Sequence, residues 1–148
     1  MSKTTIQFEI VTPERLVSSE EILQVTVPTE SGEITILPNH IPLVSLLKAG
    51  VLEIKKLDQS LDVLSVSGGF IEVSSNKVIV LADTAERAEE LDEAQIQAAQ
   101  LKAEELKKNA SNADEVQFAA VAAQLESELA RSRALSRWRR LKNININK

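Results

Sequence analysis

His40 is the only histidine, and cysteine is absent. One imidazole and no thiolate cannot assemble a His- or Cys-based metal centre, and a Ser–His pair would have no second histidine to draw on. His40 reads first as a loop residue fixed between Asn39 and Pro42. Glu86, Glu89, Glu90, Asp92 and Glu93 form an acidic run. Paired carboxylates can serve acid–base chemistry or a hard cation, but a solvated helix start explains this run better. Gly68-Gly69 is not followed by Gly-Lys-Ser/Thr, so it reads as a turn or bulge where backbones approach, not a phosphate loop. Arg133 and Arg137 stand four apart and share a helix face, a spacing that can converge on phosphate. Nothing here makes a catalytic set. The chain is expected to be neither an enzyme nor a metalloprotein.

Charge is unevenly spread. From Leu129 onward there are seven basic residues, Arg131, Arg133, Arg137, Arg139, Arg140, Lys142 and Lys148, and no acid. The remainder carries 10 basic against 22 acidic residues. A basic tail on an acidic body predicts that the tail meets something acidic, its own body included. Nucleic acid is a poor partner for such a body. Trp138 lies among these arginines and reads as a packing or partner contact, because its apolar neighbours are too few for a membrane face. No apolar run approaches the ~20 residues of a membrane-spanning helix, and the first residues lack a secretory pattern.

The elements that must position these residues fall into two halves. Up to about residue 86, short runs alternate: Ile6, Phe8 and Ile10; Val25 and Val27; Ile34 and Ile36; then Leu61, Val63, Ile71, Val73, Val78 and Val80. Pro13, Pro28, Ser31-Gly32, Pro38-Asn39, Gly50, Gly68-Gly69 and Ser75-Asn76-Lys77 punctuate them. This predicts an antiparallel β-sandwich or barrel. From about Ala82 neither Gly nor Pro occurs, and Ala, Glu, Lys, Gln and Leu dominate. That composition predicts helices.

Asp92 is expected as the N-cap of the first helix, with Gln95 completing a capping box and Leu91 and Ile96 forming a hydrophobic staple. Helices are expected over about 93–108 and 113–141, joined near 109–112, with Ser111, Asn112 or Asp114 capping the second. Ala94, Ala98 and Leu101 are expected to face Phe118, Ala122, Leu125 and Leu129 in an antiparallel hairpin. Glu93 then falls opposite about Glu128, and the basic tail overhangs the first helix by roughly 20 Å. So Ala-rich an interface is a thin core, and the hairpin should lean on the sandwich or a partner.

Gly32-Glu33-Ile34-Thr35-Ile36-Leu37-Pro38-Asn39-His40-Ile41-Pro42-Leu43 resembles the G-x-x-x-I-L-P-G-H-x-P-L segment of F-type ATP synthase ε subunits. Ser67-Gly68-Gly69-Phe70-Ile71-Glu72-Val73 is similar to their S-G-G-F-x-E-V hairpin. Val80-Leu81-Ala82-Asp83-Thr84-Ala85-Glu86-Arg87 and Leu91-Asp92-Glu93-Ala94 are similar to their interdomain junction. These blocks keep the family's order and spacing over nearly the whole chain.

The resemblance implies a ten-stranded sandwich (1–86) bound to the γ subunit and c-ring, and a regulatory helical hairpin (87–148). It implies a non-catalytic rotor subunit that couples proton translocation to ATP synthesis and inhibits ATP hydrolysis through its C-terminal helices. Glu33, Asn39, His40, Ile41 and Pro42 would lie at the rotor and c-ring interface. Arg131, Arg133, Arg137, Arg139 and Arg140 would contact the catalytic head of α and β subunits. Membrane association would come through the complex alone, on the cytoplasmic face of a bacterial plasma membrane or the stromal face of a thylakoid. A scaffold serving another complex is the alternative. Asn39 stands where the family commonly has Gly, and Asn tolerates left-handed backbone. Some relatives bind ATP through a junction motif and two helical arginines, which Glu86, Asp92, Arg133 and Arg137 match. Gln95-Ile96 replaces the motif's Arg-Ala, and Gln cannot supply the guanidinium's charge and fork of donors. The expectation is weak or absent ATP binding, with no other cofactor.

Overall fold

A computed structural model describes residues 4–109 and 115–146. Seven strands come first: β1 (Ile6–Val11), β2 (Leu16–Thr29), β3 (Gly32–Ile36), β4 (Leu43–Leu46), β5 (Gly50–Lys56), β6 (Leu61–Ser74) and β7 (Lys77–Arg87). A 3-10 turn (Ala88–Glu90) leads into α1 (Glu93–Asn109) and α2 (Glu115–Ile146).

Strands β1, β7, β6, β5 and β2 follow one another by hydrogen bonding, and β2 pairs back onto β1. The ring is closed; β3 extends from β2, and β4 from β6. All pairings are antiparallel except β1 with β7, which run parallel. The expected ten strands arise as seven because β2 and β6 are long and change partners along their length. β6, for example, pairs β5 over residues 61–66 and β4 over 70–73.

The switch in β6 falls at Gly68-Gly69, as the sequence predicts for a close approach. Gly69 has φ +103°, and a Cβ there would sit 1.9 Å from the Leu81 carbonyl oxygen. Only glycine lets β6 pass β7 at this point. Inward alternation builds the core from Ile6, Phe8, Ile10, Ile22, Val25, Ile54, Ile71 and Val80, all buried.

Asp92 Oδ1 accepts the N–H groups of Ala94 (2.9 Å) and Gln95 (3.3 Å), so α1 starts with the expected cap. The apolar stripe of α1 is a correction. Ile96 and Ala103 are buried, whereas Ala94 and Ala98 are exposed and Leu101 is 63% exposed. Five residues at about 100° each put Leu101 roughly 140° around the helix from Ile96, so both cannot face inward. The staple residue wins. On α2, Ala122, Leu125 and Leu129 are half-buried as expected, but Phe118 is exposed and burial centres on Ala130, Ala134 and Leu135. The helix also runs five residues beyond its expected end. The connection and its capping candidates Ser111, Asn112 and Asp114 lie outside the described residues.

The length excess of α2 (32 residues against 17) is present, but it does not hang free. Ala134, Trp138 and Leu141 settle on Val51 and Val63 of the sheet, with Ala88 and Leu91 completing the cluster. Val51 and Val63 each precede an inward leucine, Leu52 and Leu64, so β5 and β6 are apolar on both faces here.

Candidate functional site: the helix-on-sheet seam and the outer face

The basic tail meets the acidic body. Arg131 donates from Nε (2.8 Å) and Nη2 (2.5 Å) to one carboxylate oxygen of Glu86 on β7, and from Nη1 to Glu128 on its own helix. Arg137 donates to Glu53 on β5. That hydrogen bond and the Glu53 charge, with Glu33 adding to them, hold the Arg137 guanidinium above its already high ordinary value. Arg139 reaches Glu93 at the start of α1 (2.8 Å). Among the described residues, Arg133 and Arg140 have no carboxylate within ion-pair distance. Trp138 packs on the sheet, with the Lys142 ammonium 4.9 Å from its ring centroid.

Two cavities flank α2. One of about 290 Å³ is lined by Glu86, Glu90, Asp92, Gln95, Glu128 and Arg131. Four carboxylates there face a single guanidinium. The other, of about 390 Å³, has Arg133, Arg137 and Arg140 on one wall and Glu33 and Glu53 on the opposite one. The four residues matched to nucleotide binding are therefore divided: Glu86 and Asp92 line the first cavity, Arg133 and Arg137 the second. Among the described residues no acidic or histidine group is arranged to hold a metal ion, and no helix is long and apolar enough to cross a membrane.

The residues matched to a rotor interface are also divided. Asn39 adopts φ +66°, the left-handed backbone expected of it, and its N–H donates to the Asn76 side chain in the β6–β7 turn. His40 Nδ1 lies 2.7 Å from the Ile41 carbonyl oxygen, and Ile41 and Pro42 are exposed. Glu33 stands apart from this loop, at the start of β3 beside the α2 arginines.

A further surface escapes the alternation argument. Leu46 pairs Phe70, Phe70 pairs Leu81, Leu81 pairs Val11, and Val11 pairs Leu16. Leu46, Phe70, Leu81 and Leu16 are exposed and Val11 half-exposed, so an unbroken apolar row crosses five strands on the outside of the sandwich. Its signal in the sequence is Phe70, an aromatic on the outward phase beside inward Ile71 and Val73. Monomeric surfaces seldom leave such a row uncovered.

A closed β-sandwich with an apolar row on its outside, followed by a two-helix hairpin tied to it by ion pairs, is the class of architecture this chain adopts. The chain belongs to the ATP synthase delta/epsilon chain family: the family model for the β-sandwich domain of that chain matches residues 5–88. The ATP synthase epsilon chain of Bordetella petrii is 40% identical over 141 residues, covering 95% of this chain and 99% of that protein. The epsilon chain of Dichelobacter nodosus is 50% identical over 106 residues, 72% of this chain and 74% of that protein. Among solved structures, a chain of the Euglena gracilis mitochondrial ATP synthase shares the fold with a TM-score of 0.81 at 23% identity, covering 91% of this chain and 84% of its own.

Proposed function

We propose that this chain is a non-catalytic central-stalk subunit of an F-type ATP synthase. It couples proton translocation to ATP synthesis and restrains ATP hydrolysis through its two helices. The outer row of Leu46, Phe70, Leu81, Val11 and Leu16 carries the reading, since it offers the γ subunit a docking face that folding leaves uncovered. The loop of Asn39, His40, Ile41 and Pro42 would approach the c-ring, stiffened by its tie to Asn76. The subunit would then sit peripherally on the cytoplasmic face of a bacterial membrane, held there by the complex.

The brake reading is supported by how lightly the hairpin is seated. The cluster under α2 has only Val63, Ala88 and Ala134 fully buried, with Val51, Leu91, Trp138 and Leu141 partly so, and Leu101, Leu106, Val116 and Phe118 remain exposed along the helices. A released α2 would present Arg131, Arg133, Arg137, Arg139 and Arg140 to an acidic segment of the β subunit in the catalytic head. Removing residues 91–148 from the assembled enzyme leaves the Arg87–Asp62 pair in place. Assembly and proton coupling should persist while ATP hydrolysis rises; unchanged hydrolysis sinks the brake. Nucleotide has little part in this reading. The cavity at the start of α1 is lined mainly by carboxylates and holds Gln95 where an arginine would be wanted, so calorimetry of the full chain with ATP should detect no micromolar binding.

A further inference from the structure

Two ion pairs on α2 differ from the rest. Arg131–Glu86 and Arg137–Glu53 join the helix to the sandwich, at β7 and β5 respectively. Arg139–Glu93 lies within the hairpin and would travel with it. Arg87–Asp62 lies within the sandwich and pins the end of β7 to β6. Arg131 and Arg137 stand six residues, about 1.7 helical turns, apart, and the same stretch of α2 contributes Ala134 and Trp138 to the apolar cluster with Val63 and Ala88. Arg131 also neutralises Glu128, a carboxylate only 5% exposed, which would otherwise be buried without a counter-charge.

We propose that Arg131–Glu86 and Arg137–Glu53 form an electrostatic latch that sets how often the hairpin leaves the sheet, and that ionic strength tunes it. The proposal rests on the reading that the hairpin leaves at all. The seat is small: Val63, Ala88 and Ala134 are its buried members, and Val51, Leu91, Trp138 and Leu141 are only partly buried against them, so the two pairs add to a limited apolar contact in the balance between seated and released states. Both pairs are partly open to solvent and are therefore screened as the Debye length shrinks from about 10 Å at 0.1 M salt to about 3 Å at 1 M. Release asks each arginine to give up one carboxylate, and an acidic partner surface repays it with another.

The reporter is built in. Trp138 is the only tryptophan and is half-buried against the sheet, so acrylamide quenching of the full chain reads the released fraction. Raising salt from about 0.05 M to about 1 M should increase quenching of the unmodified chain. Glu53→Gln and Arg137→Gln should each raise the released fraction about threefold to fivefold. The double variant should do no more than either single one, because both remove the same pair. Quenching that stays flat across salt, or effects of the two substitutions that add, overturns the latch. If the variants release the helix but hydrolysis by the assembled enzyme does not change, the latch stands and the brake reading falls.

Discussion

Replacing Phe70 by Ala tests the docking face where it is strongest. The side chain points away from the core, between Leu46 and Leu81 on neighbouring strands, and is 46% exposed. A phenylalanine presents roughly 200 Å² when free, which leaves about 90 Å² for a partner to cover. At about 25 cal/mol per Å², covering it contributes about 2 kcal/mol, or about a 30-fold change in dissociation constant. The core residues Ile71 and Val73 are untouched, so urea unfolding of the isolated chain should shift by no more than about 1 kcal/mol. The assay is titration of labelled chain into an F1 sector stripped of this subunit, with exposed Gln97→Ala as the control. An affinity for Phe70→Ala within twofold of the parent refutes the assignment of this face.

Substitutions elsewhere in the chain probe its turns, caps and helix faces. Gly69→Ala should cost more than about 3 kcal/mol in urea unfolding, because its Cβ meets backbone, whereas Gly32→Ala, with open space but φ +119°, should cost only about 1–2 kcal/mol. Asp92→Ala should destabilise the start of α1 by about 1 kcal/mol and Asp92→Asn by far less, read from the helical circular dichroism melt. Leu101→Glu should change stability by less than about 0.5 kcal/mol, since the side chain faces solvent; a large loss would restore the stripe expected from sequence.

The sequence and the structure agree where local chemistry decides. Asp92 caps because its side chain reaches two N–H groups of its own helix, and Asn39 takes φ > 0 because short polar residues tolerate it. They part where rotation about an axis or a distant partner decides. The stripe through Leu101 satisfied helical spacing as well as the stripe through Ile96 did, and only the direction of approach of α2 chose between them. Glu53 carries no mark of its place opposite Arg137, 84 residues further on. The doubled apolar pairs Val51-Leu52 and Val63-Leu64 did mark the seat of α2, since a strand covered on both faces loses its alternation. The parallel pairing of β1 with β7 left no mark, because alternation is the same in either direction.

The closed ring of strands has a mechanical consequence. In an open sheet a strand at the border can slide or peel by giving up bonds on one side. Here β1, β7, β6, β5 and β2 are each bonded on both flanks, so slippage of any one must break two ladders together. The loop holding His40 joins β3 to β4, both anchored to that ring, and is tied across to Asn76. A sideways load applied at this loop enters through β3 and β4, each bonded to a single ring strand, and passes from them into the closed ring. The five ring strands therefore answer twist together, as a single stiff washer.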